Sequence, residues 1–199
     1  MKLDWDKMDG MIPAIVQQAD TGEVRMLGYM NREALDATQA SGKVTFWSRS
    51  RGELWEKGAI SGDTLDLVDM RTDCDGDALL VLARPAGPTC HLGTTSCFGD
   101  EGAPGVGFLG ELATVISARA AGADAQASYT ARLLAKGVKR CAQKVGEEGV
   151  ETALAATAGD KRETASEAAD LLYHLLVLLE ATDVPLDDVL AVLKDRHKA

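Results

Sequence analysis

The sequence predicts an α+β chain of two unlike halves: a mainly β N-terminal half with one or two helices, then an all-α helical bundle. Three observations predict it. Up to about residue 98, short apolar runs alternate with polar positions and are cut at Gly22, Gly42, Gly52, Gly62 and Gly76. The stretch 98–107 (FGDEGAPGVG) carries Gly and Pro without periodicity, as a linker does. Beyond it, apolar residues recur at helical spacing between glycine stops. The expected boundaries are 1–100 for the first domain, 101–107 for the linker and 108–199 for the second.

In order, the strand segments are 12–18 (IPAIVQQ), 23–30 (EVRMLGYM), 43–50 (KVTFWSRS), 64–72 (TLDLVDMRT) and 78–84 (ALLVLAR). One helix interrupts them: 31–40 (NREALDATQA) opens on Asn31, a good N-cap, and ends before Ser41-Gly42. Asp75-Gly76 suits a tight hairpin joining the last two strands. In the second half, Leu109 to Ala121 stops at Gly122, and Ala123 to Lys136 stops at Gly137. A third helix runs from about Val138 to Ala158 before Gly159, a fourth from about Lys161 to Ala181, and Pro185 opens a fifth.

Apolar and charged fractions of 46% and 26% suit a globular chain, and 199 residues suffice for a core in each half. A net charge of −10 argues against a nucleic-acid-binding surface. It leaves room for a phosphorylated substrate, because a pocket needs only a few local cations. No apolar run approaches the roughly 20 residues of a membrane span, and the N-terminal MKLDWDKMDG does not read as a signal peptide. A cytoplasmic location is expected, where the four cysteines stay reduced. Metal binding is then the better use of Cys74, Cys90 and Cys97, while Cys141 stands alone and reads as a small core residue.

The run 73–77 (DCDGD) sets three carboxylates and a thiol in five residues. Like charges so close raise one another's pKa unless a cation neutralises them. Either a solvated acidic turn or a metal site would answer. An EF-hand is ruled out, since the sixth and twelfth positions counted from Asp73 hold Ala78 and Arg84. Thiolates select zinc, and three of them with an open position would make a catalytic rather than a structural site. His91 adjoins Cys90, and neighbours on an extended segment face opposite ways, so His91 is expected to stay free as an acid/base. A structural Cys3His knot is the alternative. A zinc deaminase is excluded, because Pro88-Thr89-Cys90 has no second Cys at the required spacing. Upstream, Arg49, Arg51 and Lys57 gather with Ser48, Ser50, Ser61 and Gly62, the residue types that phosphate groups need.

Taken together, 46–63 (FWSRSRGELWEKGAISGD), 73–81 (DCDGDALLV) and 87–98 (GPTCHLGTTSCF) resemble phosphoribosyl-AMP cyclohydrolase of histidine biosynthesis, across most of residues 10–98. The resemblance implies zinc on Cys74, Cys90 and Cys97, and magnesium on Asp73, Asp75 and Asp77. It also implies a homodimer whose zinc takes ligands from both chains. Asp63 and Leu65 stand where the family more often has Asn or His, and Gln; Thr89 stands for the usual Ala. The implied reaction is attack of water on C6 of a cationic adenine ring, with His91 shuttling protons and the N1–C6 bond breaking.

In the second half, Glu147 and Glu151 lie four apart, and Glu148 and Glu151 three apart, as do Glu167 and Asp170. All could converge between two packed helices; an exposed acidic face is the alternative. Glu167 and Asp170 run straight into LLYHLLVLL, at the edge of a buried helix, where repelling carboxylates call for a cation. Glu-x-x-His is absent, so a di-iron bundle is out and hard oxygen ligands favour magnesium. The segments 128–137 (SYTARLLAKG), 144–151 (KVGEEGVE) and 167–176 (EAADLLYHLL) resemble phosphoribosyl-ATP pyrophosphohydrolase and the wider all-α nucleotide pyrophosphohydrolases. Gly149 stands for the usual Ala. The resemblance implies magnesium bridging a triphosphate, with Arg132, Lys136 and Lys144 as phosphate contacts; His174 reads as packing. The fused chain thus resembles the bifunctional enzyme for steps two and three of histidine biosynthesis, with phosphoribosyl-ATP and phosphoribosyl-AMP as substrates. Two rivals are a house-cleaning nucleotide pyrophosphohydrolase with a zinc-stabilised appendage, and a zinc-dependent interaction module on a helical dimerisation bundle.

Overall fold

A computed structural model describes residues 2–122 and 128–197. The chain divides into two compact units, Met1–Phe108 and Leu109–Ala199. In the first, β1 (Ile12–Gln18), β2 (Val24–Met30), β5 (Leu65–Thr72) and β6 (Leu79–Pro85) form one sheet in the order β2-β1-β6-β5. Pairings are antiparallel except β1 with β6, which are parallel. Alternation does the sorting: Ile12, Ala14 and Val16 of β1 are buried with Leu79, Val81 and Ala83 of β6, while Ile15 is exposed.

Helix α1 (Arg32–Ser41) adds Ala34 and Leu35 to this core. Its limits are local chemistry. The Asn31 side chain accepts from the Ala34 N–H at 2.8 Å, and Gly42, at φ 70°, returns its own N–H to Thr38. Next, β3 (Thr45–Ser48) and β4 (Glu53–Glu56) form a separate two-stranded hairpin. Phe46 packs closely on β2 because Gly28 has no side chain: a Cβ there would come within 2.4 Å of the ring. The segment expected as one strand over 43–50 is therefore shorter, and β4 arises where a phosphate-binding loop was expected.

The connection between β5 and β6 is wider than the tight Asp75-Gly76 turn expected. The Asp73 N–H bonds the Ala78 carbonyl at 3.2 Å, and Asp73 Oδ1 accepts the N–H groups of Asp77 and Ala78 at 3.0 and 3.1 Å. An Asp that caps its own loop in this way holds the longer turn closed. A single 3-10 turn, Gly105–Gly107, falls in the segment expected as linker.

The second unit is helical: α2 (Phe108–Ala121), α3 (Tyr129–Ala135), α4 (Val138–Ala158), α5 (Lys161–Ala181) and α6 (Leu186–His197). The helix expected from Ala123 begins at Tyr129, capped by the Ser128 hydroxyl; residues 123–127 lie outside the described residues. Between α4 and α5 only two residues intervene, each with a task. Gly159 ends α4 at φ 76°, and the Asp160 carboxylate accepts the N–H groups of Arg162 and Glu163 at 2.9 and 3.0 Å. So short a link folds α5 back along α4. Their core holds Ile116, Leu133, Cys141, Leu176 and Val177, with Cys141 a buried apolar filler as its isolation in the sequence suggests.

Candidate active sites

In the first unit, a cavity of about 650 Å³ is lined by Arg51, Trp55, Lys57, Ser61, Thr89, Cys90, His91 and Cys97. The loop that carries the thiols folds on itself. Cys90 N–H bonds Thr94 O at 3.1 Å, and Gly93 N–H bonds Cys90 O at 3.0 Å. The segment is thus a turn, not the extended run assumed for 90–91, and His91 Nδ1 stays 3.9 Å from Cys90 Sγ while its ring is exposed. The Leu92 N–H and then the Thr94 hydroxyl hold the Cys90 thiol below the usual thiol range. Burial, then the adjacent Cys90 charge, pushes Cys97 above it. Cys90 is accordingly the first of the pair to become a thiolate.

The expected phosphate contacts divide. Arg51, Lys57 and Ser61 face the cavity. Lys57 is buried, its Nζ donating to the Asp63 carbonyl at 3.1 Å. The loop that carries Lys57 and Ser61 turns at Gly58, where φ is 84° and a Cβ would lie 2.2 Å from the Asp63 carbonyl oxygen. Arg49 instead stacks on the Tyr29 ring, 3.7 Å from its centre, and is not among the lining residues. Ser48 accepts from Arg51 Nε at 3.3 Å, while Ser50 is exposed and Gly62 serves the turn through its N–H to Gly58; none of the three lines the cavity.

The acidic loop brings carboxylate oxygens of Asp73, Asp75 and Asp77 within 4.8 Å of one another. Lys7 bridges two of them, bonding Asp75 and lying 2.5 Å from Asp77 Oδ2; these contacts raise its pKa. No local signal in the sequence points to Lys7, which lies 68 residues from Asp75. Cys74 is exposed and opens on a separate hollow of about 500 Å³ beside Lys2, Leu3 and Asp4. Among the described residues, the three cysteines of one chain do not converge into a common ligand set.

In the second unit, Glu148 and Glu151 of α4 meet Glu167 of α5, again with carboxylate oxygens within 4.8 Å. Glu148 is buried, Glu167 half-buried and Glu151 exposed. Burial and then the charges of Glu151, Glu148, Asp170 and Glu163 push Glu167 above the usual carboxylate range. Glu148 goes the other way, held down by the Lys144 ammonium at 2.5 Å. Two of the five expected ligands stand apart from the trio. Glu147 turns to the flank, where Gln143, Lys144 and Arg140 bond it at 2.7, 2.9 and 3.2 Å. Asp170 acts on Glu167 through its charge, and its carbonyl accepts from His174 Nδ1 at 2.9 Å.

His174 is buried and also meets the Tyr129 hydroxyl at 3.1 Å and lies 3.9 Å from Glu148. It packs as expected, and it also ties α3 to the carboxylate site. Arg132 and Lys136 are exposed on α3 and at its C-cap, whereas Lys144 bonds two carboxylates directly. A hollow of about 390 Å³ adjoins the trio, walled by Leu154, Ala155, Ala158 and Glu163. Glu163 was missed, although its position four before Glu167 sets it on the same helical face.

A thiol-and-imidazole cavity in one unit and a carboxylate-bearing helix pair in the other give the chain two candidate sites of different chemistry. The family model for phosphoribosyl-AMP cyclohydrolase matches residues 26–99, and that for phosphoribosyl-ATP pyrophosphohydrolase matches 109–197. The histidine biosynthesis bifunctional protein HisIE of Escherichia coli K12 is 57% identical over 197 residues, covering 99% of this chain and 96% of the relative. The HisIE of Shigella sonnei is likewise 57% identical, and that of Yersinia pestis 54%, over the same shares. The chain belongs to the HisIE family: it is a bifunctional enzyme of histidine biosynthesis, with a cyclohydrolase and a pyrophosphohydrolase domain.

Proposed function

We propose that the helical domain hydrolyses phosphoribosyl-ATP to phosphoribosyl-AMP and pyrophosphate, and that the β domain then opens the adenine ring of that product at N1–C6. The donor sets suit two kinds of metal. Soft thiols at Cys90 and Cys97, one of them already inclined to ionise, suit zinc, and the two carboxylate clusters suit magnesium. Bound metal supplies Lewis acidity, which makes water a nucleophile near neutral pH and offsets phosphate charge. Arg51, Lys57 and Ser61 hold the phosphates of phosphoribosyl-AMP, and His91 moves the proton between attacking water and departing ring nitrogen. In the helical domain, Glu148, Glu151 and Glu167 would hold magnesium, Asp170 supports them electrostatically, and Lys144, on Glu147 and Glu148, would be the cation nearest the phosphates.

The observation that carries this function is the sharing of one cavity by Cys90, Cys97, His91 and the two cations Arg51 and Lys57. Cys74 completes the zinc set from a second chain in a homodimer; its position in a hollow of its own is what supports this. Thiols as accessible as Cys74 and Cys97 suit the reducing cytoplasm. The test is to supply phosphoribosyl-ATP and follow pyrophosphate and the ring-opened product by chromatography. Pyrophosphate without ring opening, under zinc-replete conditions, would leave only the helical half of the proposal.

A further inference from the structure

Strands β1 and β2 slip register once. Val16 pairs with Met26 but Gln17 pairs with Val24, so Arg25 is the extra residue of a β-bulge. Bulges re-aim side chains, and this one sends a charge inward: Arg25 is 5% exposed and its neighbour Glu23 6%. A buried guanidinium must have its donors met. Nη1 donates to Glu23 Oε2 at 2.5 Å and to Gln18 Oε1 at 3.0 Å, and Nε donates to Thr89 Oγ1 at 3.1 Å. Thr89 is 2% exposed and immediately precedes Cys90.

The same bulge holds the other end of the cysteine loop. Its unpaired Arg25 carbonyl accepts the Cys97 N–H at 2.8 Å. The Ser96 hydroxyl donates to the carbonyls of Val24 and Arg25 at 2.8 and 3.2 Å, and Thr95 Oγ1 reaches Glu23 at 3.4 Å. One arginine therefore fixes the residue before Cys90 through its side chain and Cys97 itself through its backbone. Two sulfurs on a tetrahedral zinc sit about 3.8 Å apart, for zinc–sulfur bonds of about 2.3 Å. A loop left free would have to be ordered to that spacing on binding.

We propose that the Glu23–Arg25–Thr89 bridge is a positioning device that sets the Cys90–Cys97 loop for zinc, an inference that rests on the zinc reading above. Groups that orient metal ligands from behind typically contribute 10–100-fold to metal affinity. A bridge that served stability alone would move the unfolding temperature and leave zinc affinity as it was.

The experiment uses the full chain and three variants, Thr89→Val, Arg25→Lys and Arg25→Leu. Zinc affinity is read by competition with a chelator, and thiolate geometry by the visible spectrum after cobalt substitution. Tryptophan fluorescence reports that the mutated unit is folded, since Trp5, Trp47 and Trp55 all lie in the first unit. Thr89→Val should bind zinc about 10-fold more weakly, and Arg25→Leu on the order of 10–100-fold, with pyrophosphate release unchanged. Arg25→Lys keeps a charge for Glu23 but has no fork to reach Thr89, so it should follow Thr89→Val. Should Arg25→Leu fail to fold, the other two decide. Wild-type zinc affinity and cobalt spectrum in Thr89→Val and Arg25→Lys would overturn the positioning role. A wild-type chain that takes up no zinc would overturn the zinc reading and this inference with it.

Discussion

Mixing two inactive chains should restore ring opening. Cys90 and Cys97 share a cavity, whereas Cys74 of the same chain opens on a different hollow. If each zinc takes Cys74 from one chain and the other two cysteines from its partner, Cys74→Ser and Cys90→Ser damage opposite contributions to a site. Refolded together in equal amounts, the chains pair at random and half the dimers are mixed. Each mixed dimer then holds one site with all three cysteines and one site lacking two, because a two-fold axis generates two equivalent sites. Intact sites are thus about a quarter of the total. The assay is ring opening of phosphoribosyl-AMP, with subunit exchange verified by a mass tag and the fluorescence of Trp5, Trp47 and Trp55 as the measure of folded first unit. About a quarter of wild-type activity is expected from the mixture and none from either parent. No recovery after verified exchange would refute the shared site, since three cysteines from one chain leave every site one ligand short.

Four further outcomes follow from the geometry. Cys90→Ser should abolish ring opening and let phosphoribosyl-AMP accumulate, while Glu148→Gln should stop pyrophosphate release and spare the consumption of added phosphoribosyl-AMP. Elemental analysis after dialysis should find one zinc retained per chain and magnesium lost, because thiolates hold zinc firmly and magnesium exchanges. Gly58→Ala, forced to keep φ near 84° with a Cβ 2.2 Å from the Asp63 carbonyl oxygen, should destabilise the first unit by about 1–3 kcal/mol and weaken phosphoribosyl-AMP binding, read as a raised KM. Glu167 has a raised folded pKa, so its contribution favours the fold below the ordinary glutamate range and is lost as pH rises through that raised value. In EDTA, melting curves should therefore show the helical unit losing stability across that window, and magnesium should restore most above it.

What was legible in the sequence was local. Asn31 and Gly42 bound α1 by contacts within one turn, and the alternation of Ile12, Ala14 and Val16 gives the buried face of β1 directly. Spacing alone could not choose among the carboxylates of α4. Glu147 and Glu148 are both within helical reach of Glu151, and only the presence of Arg140 and Gln143 on the flank draws Glu147 aside. Strand β4 was hidden by its charges, since Glu53 and Glu56 follow Arg49 and Arg51 in a stretch that reads as a binding loop. Arg25 was the least legible. Alternation marks it as one more polar residue on a strand, and its inward turn depends on a bulge that no residue type announces. Lys7 depends on a loop far along the chain, which no window of sequence contains.

Burial divides the ion pairs by task. Lys7 on Asp75 and Asp77, and Lys144 on Glu147 and Glu148, each set one ammonium against two carboxylates, and each cluster keeps a net negative charge. Lys7 and Glu147 are solvated, so water can take over their charges when a contact opens. At the acidic loop, a divalent cation would displace Lys7, which has solvent to go to, whereas Lys144 is only 19% exposed and held on buried Glu148. Glu23 and Arg25 have no such exit. With side chains 7% and 6% exposed, losing one partner strands the other in a dry interior, at about 3–5 kcal/mol for a buried pair. The Lys7 cluster is thus the open one, while the Glu23–Arg25 pair is closed and ties down both ends of the thiol loop. On the metal reading proposed above, the thiol loop would sit against the closed pair, and the Asp73–Asp75–Asp77 loop where a solvated lysine can leave.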